Sequence, residues 1–142
     1  LVPPPPRLHP PALAGRPDLP PCTSQLGGVS ALSAETGETA WLYEQRPATL
    51  SLVATGGGLF FGGGANGRFR AFDHETGEVL WETRLGTAAQ GFPISYAADG
   101  KQYIAVPTGL GLFRGLTATL SPEIYAPTTG NALYVFALPD RP

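Results

Sequence analysis

Side chains able to do covalent or metal chemistry are few in this chain and widely scattered. His9 and His74 are its only histidines, so a metal centre built on imidazole is poorly supplied. Cys22 is the single cysteine, which excludes an internal disulfide, a CxxC redox pair and a cysteine-built zinc site. In its proline-rich surroundings it reads as a free exposed thiol. Asp99 and Glu123 have no visible partner for general acid–base work. His74 lies inside a turn motif and reads as an exposed turn residue. The run GGGANG at residues 62–67 satisfies GxGxxG by letter. A dinucleotide site needs a helix immediately afterwards, with its N-terminus aimed at the pyrophosphate. The next residues, RFRAF at 68–72, read as a strand, so that site is rejected. The residues supply neither a catalytic set nor a metal-ligand set.

Charge and hydropathy exclude further classes. Lys+Arg 9 against Asp+Glu 11 gives a net charge of −2 without a run of like charges, so no nucleic-acid footprint is present. No apolar run reaches the roughly 18–20 residues that span a bilayer. The first residues are broken by proline and lack the apolar core of a secretory signal, so no signal peptide is visible. Nine of the 16 prolines fall in residues 1–26, whereas 18 of the 19 glycines come later. Proline lacks the N–H and fixes φ, so residues 1–26 read as a disordered polyproline-type arm, or as a translation artefact of GC-rich DNA. Residues 27–142 form the second unit.

That second unit contains a repeat. ALSAETGETAW at residues 31–41 aligns with AFDHETGEVLW at residues 71–81, and both tryptophans of the chain belong to the pattern. Thr36-Gly37 and Thr76-Gly77 are expected to make tight hairpin turns, with Gly supplying φ > 0. Asp73 can accept hydrogen bonds from turn N–H groups, and Ser33 can do so more weakly. Alternation places strands near 27–32, 40–45, 50–55, 58–63, 67–73, 79–85, 91–97, 101–107 and 131–137. Asn66-Gly67 and Asp99-Gly100 read as further hairpin turns. Along 79–85, strict alternation puts Val79, Trp81, Thr83 and Leu85 on one face and Leu80, Glu82 and Arg84 on the other. No segment shows a sustained helical period. Four short antiparallel strands in about 40 residues is the spacing of a β-propeller blade.

The AxDxxTGxxxW pattern resembles the tryptophan-docking motif of the quinoprotein alcohol dehydrogenases, at Ala31, Thr36, Gly37 and Trp41 and again at Ala71, Asp73, Thr76, Gly77 and Trp81. GGLFFGGGANGRFRAFDHETGEVLWETRLG (residues 57–86) is similar to that family's penultimate blade. GFPISYAADGKQYIAVPTG (residues 91–109) and GNALYVFALPD (residues 130–140) are similar to its C-terminal end. The resemblance implies an all-β fold: a partial propeller of the eight-bladed quinoprotein type, about two and a quarter blades long, with antiparallel four-stranded blades. In such propellers the fourth strand of the last blade comes from the protein's N-terminus.

The family binds pyrroloquinoline quinone (PQQ) with a calcium or lanthanide ion near the axis and oxidises alcohols, usually in the bacterial periplasm. Its electrons pass to a cytochrome or a membrane quinone. The resemblance implies that the loop Gly109, Leu110, Gly111, Leu112 approaches the quinone. Leu112-Phe113 stands where Gly-Trp is common. Residues 46–49, ending in Thr49, match an axis-facing loop that carries a cofactor-proximal Trp in some members; that Trp is absent. The family's catalytic aspartate, metal-binding Glu and Asn, and adjacent cysteine pair match no residue here. The chain alone is therefore expected to be inactive, and its partners to be the remaining blades or a complementary chain. Open strand edges on both sides point to self-association or marginal folding. Two other readings are a non-catalytic scaffold resembling the lipoprotein of outer-membrane barrel assembly, and a decayed gene product. GKQYIAVPTG at residues 100–109 is typical of the dehydrogenases and favours the enzyme lineage.

Overall fold

A computed structural model of the chain describes residues 27–46, 48–109, 111, 114–125, 127 and 129–139. The proline-rich segment, Cys22 and His9 lie outside them. Three antiparallel sheets succeed one another along the chain. The first pairs β1 (Gly27–Leu32) with β2 (Thr39–Gln45). The second is a four-stranded meander of β3 (Thr49–Ala54), β4 (Leu59–Gly64), β5 (Arg68–Asp73) and β6 (Val79–Arg84). The third orders β7 (Ile94–Ala98), β8 (Lys101–Thr108) and β9 (Ala132–Ala137). These are β-propeller blades laid face to face, and the described residues do not close into a ring.

Turn chemistry fixes where the strands reverse. Gly37 and Gly77 both have φ 73°. Asp73 Oδ1 accepts from the backbone N–H groups of Glu75 and Thr76 and from Thr76 Oγ1, whereas Ser33 Oγ accepts only from the Thr36 N–H. Asp99 and Gly100 both have positive φ, at 49° and 75°, in the two-residue turn between β7 and β8.

The middle blade packs on both neighbours because its strands present apolar side chains to both faces. Phe60 and Phe72 turn toward the first sheet, where Val29, Trp41 and Tyr43 meet them. Phe61, Phe69 and Ala71 turn the other way, onto Ile104 and Val106 of the third sheet, both fully buried. Gly62 and Gly63 keep β4 thin enough for this: a Cβ on Gly63 would lie 2.1 Å from that of Ala89.

Three details depart from the sequence reading. A register shift between Ala71 and Phe72 pairs them with Trp81 and Val79, leaving Leu80 as the extra residue of a bulge. Val79 therefore lies on the face of Phe72 and not on that of Trp81. The same irregularity recurs at Ala40 in the first sheet. β7 begins at Ile94, since residues 91–93 end in Pro93, which has no N–H for a ladder. A short helix, α1 (Arg114–Leu120), lies in the connection from β8 to β9. Seven residues are about two turns, too few to display a helical period.

Candidate functional site

The connections after β2, β4, β6 and β8 all emerge at one end of the three sheets. Backbone hydrogen bonds join them into a continuous rim. Ala65 N–H donates to Ala48 O (3.0 Å), Ala89 N–H to Gly64 O (3.4 Å) and Gly109 N–H to Ala88 O (2.9 Å). Ser51 Oγ adds a bond to Ala89 O. The long connection after β8 is tied back through Glu123, and the strand that follows it through Tyr134. Glu123 forms an ion pair with Arg46 at 2.9 Å, linking the third sheet's insertion to the loop that leaves the first sheet. Tyr134 Oη accepts from the Gly86 N–H.

Of the candidate cofactor residues, Thr49, Gly109 and Gly111 fall on this rim. Thr49 opens β3, paired with Gly64. Gly109 comes directly after β8 and Gly111 lies just beyond it; Leu110 and Leu112 are outside the described residues. Both glycines have close neighbours of their own. A Cβ on Gly109 would lie 2.8 Å from Asn131 Oδ1, and one on Gly111 would lie 2.6 Å from Gln90 Nε2. Gln90 and Asn131 are rim residues that sequence reasoning missed, because neither belongs to a motif and both reach the loop from distant positions. The Arg46–Glu123 pair was equally hidden. Among the described residues, no group of three or more His, Cys, Asp or Glu side chains comes together to hold a metal ion.

Beneath the rim, Arg70 is buried between the first two sheets. Its Nε donates to Glu82 Oε2 and its Nη1 to Gln45 Oε1, both at 2.7 Å, and the guanidinium sits over the Tyr43 ring. Burial lowers its pKa from the ordinary arginine value. Arg68 also bonds to Glu82, so one carboxylate serves two arginines.

The opposite end holds the tryptophan motif. Trp41 reaches across from the first sheet, stacks on Phe60 with centroids 5.4 Å apart, and donates from Nε1 to His74 O at 3.0 Å. Its ring lies flat against Gly77, where a Cβ would come within 2.6 Å. His74 holds this turn to the neighbouring one through Nδ1 and Gly58 O. Three hydrogen bonds from Thr76 and Glu75 hold the Asp73 carboxyl below its ordinary pKa. Trp81, at the matching place one blade on, is 41% exposed and meets Phe69 and Phe136 edge-on beside an open groove of about 380 Å³.

Against known proteins, residues 45–104 match the family model described as "PQQ: Glucose/ethanol/alcohol dehydrogenase, beta-propeller domain". The quinoprotein ethanol dehydrogenase of Pseudomonas putida is 34% identical over 119 residues, which is 80% of this chain and 19% of that protein. The lanthanide-dependent methanol dehydrogenase of Methylacidiphilum fumariolicum is 36% identical over 133 residues, 79% of this chain and 22% of that protein. A solved europium-containing methanol dehydrogenase superposes with a TM-score of 0.71 at 33% identity, covering 82% of this chain and 24% of that one. The chain thus spans about a fifth of the length of these curated relatives.

Proposed function

Because the chain belongs to the β-propeller family of the PQQ-dependent alcohol dehydrogenases, we propose that it forms part of the wall around the quinone in such an enzyme. The observation that carries this reading is the rim: residues 48, 64–65, 88–89 and 109 are joined by backbone bonds into one surface at one end of the blades. Thr49, Gly109, Leu110, Gly111 and Leu112 are the positions assigned to the quinone side of that wall. The described residues bring no metal-binding cluster to it. They offer PQQ one wall. When bound, PQQ takes up the two electrons of alcohol oxidation. The base and the metal ligands belong to blades outside this sequence, so the chain by itself turns over no alcohol.

The remaining blades cover the two outer sheet faces, where Leu32 and Leu42 on one side and Ile94, Leu133 and Val135 on the other are exposed. The enzyme works in the periplasm and hands its electrons to a cytochrome or a membrane quinone.

The test is a chimera in which residues 45–109 replace the matching segment of the Pseudomonas putida ethanol dehydrogenase. The chimera is expected to melt cooperatively, load PQQ as read by its absorbance, and oxidise ethanol with a dye acceptor. A cooperatively folded chimera that fails to load PQQ contradicts the reading. So does turnover by the 142-residue chain alone.

A further inference from the structure

The groove beside Trp81 contains no charged side chain. It is lined by Leu59, Phe61, Phe69, Trp81, Phe136 and Pro139, with smaller apolar residues between them. Trp41 shows what an indole at this position does when covered, since its N–H finds His74 O and its face finds Gly77. Phe61 and Phe69 are buried in the groove floor, so Trp81 is its open aromatic surface, and an exposed indole whose N–H has no acceptor among the described residues suits a polyproline segment. Pyrrolidine rings lie flat on aromatic faces, and each backbone carbonyl of such a segment is free to accept.

The chain carries such a segment. We propose that the proline-rich stretch of residues 1–26 docks in the Trp81 groove, with a carbonyl of that stretch taking the indole N–H. Pro3, Pro4, Pro5 and Pro6 form its longest uncharged proline run, with Pro10-Pro11 and Pro20-Pro21 further along. The stretch ends at Gly27, the first residue of β1. At about 3.1 Å per residue, the roughly 20 residues between Pro6 and Gly27 reach roughly 60 Å. Sheets stacked face to face are about 10 Å apart, so the groove between the second and third sheets is well within range. Proline cannot donate to a strand ladder, so this segment fits the groove and not the edge of β9 that no described strand covers. The inference concerns the chain's own groove and rests on no part of the quinone reading.

The test uses the full chain. Its two tryptophans give two indole N–H signals in a nitrogen–proton correlation spectrum, and Trp81→Phe identifies which is which. Replacing Pro3, Pro4, Pro5, Pro6, Pro10 and Pro11 by serine leaves every residue of the three sheets unchanged, so the fold is not at stake. The expected result is that these replacements move the Trp81 signal and speed its hydrogen exchange about tenfold, as for a groove filled about ten to one. The Trp41 signal stays where it was. A Trp81 signal that ignores the replacements overturns the proposal, leaving residues after Pro139 or another protein as the occupant. A wild-type Trp81 signal that changes on dilution also overturns it, because the groove is then filled by a second copy.

Discussion

Trp41 and Trp81 occupy the same position in two copies of one motif, yet their surroundings differ. Trp41 is fastened by a hydrogen bond to His74 O, by a stacked Phe60 and by the flat peptide at Gly77. Trp81 has only edge-on neighbours on a half-open surface. The turns differ in the same way: Gly77 lies under an indole, whereas Gly37, with the same φ of 73°, has nothing within 4 Å of its Cβ position. The motif's turn residues hold their own blade, but its indole acts on the blade that follows. Trp41 is secured by the next blade's turn, and that turn by the previous blade's tryptophan, so this stabilisation lies between blades.

Alanine at the two turn glycines separates these contributions. Both substitutions force an L-residue into the left-handed region, at about 1–2 kcal/mol each. Only Gly77→Ala also drives a methyl into the Trp41 ring, which adds about 1–3 kcal/mol of overpacking. Urea unfolding of the two variants is expected to rank Gly77→Ala well below Gly37→Ala. Equal losses would show that the indole does not rest on the turn.

Acid should distinguish the two turns more gently. The Asp73 pKa is lowered from 3.8 chiefly by its bonds to the Thr76 backbone and hydroxyl. A carboxyl with a lowered pKa stabilises the fold fully above its unfolded value, and that contribution is lost as pH falls through the lowered folded value. Asp73→Asn should therefore flatten the acid side of the melting temperature's pH dependence. Ser33→Asp, which places a carboxylate on the other turn, should steepen it. If neither variant changes the acid slope, the turn bonds do not hold the carboxylate in its charged form.

Much of this fold was legible because local chemistry dictates it. Alternation marked all nine strands of the described residues, and the glycines of Thr36-Gly37, Thr76-Gly77 and Asp99-Gly100 marked reversals that need positive φ. The features that escaped were set by distant partners or by a single inserted residue. The bulge at Leu80 moves Val79 to the face opposite Trp81, which strict alternation cannot anticipate. α1 is too short to leave a period. At the rim, Gly109 and Gly111 stood out as glycines beside a candidate cofactor. Their nearest neighbours, Asn131 and Gln90, come from elsewhere in the chain and carry no motif of their own.

The loops at one end of the blades form a preformed wall and not a set of independent surface loops. Native-state amide exchange tests it residue by residue. The N–H groups of Ala65, Ala89 and Gly109, which donate to Ala48, Gly64 and Ala88, are expected to exchange slowly, in step with the amides of β4 and β8. Exchange of these three at the rate of open loops, while the strand amides stay protected, would contradict it.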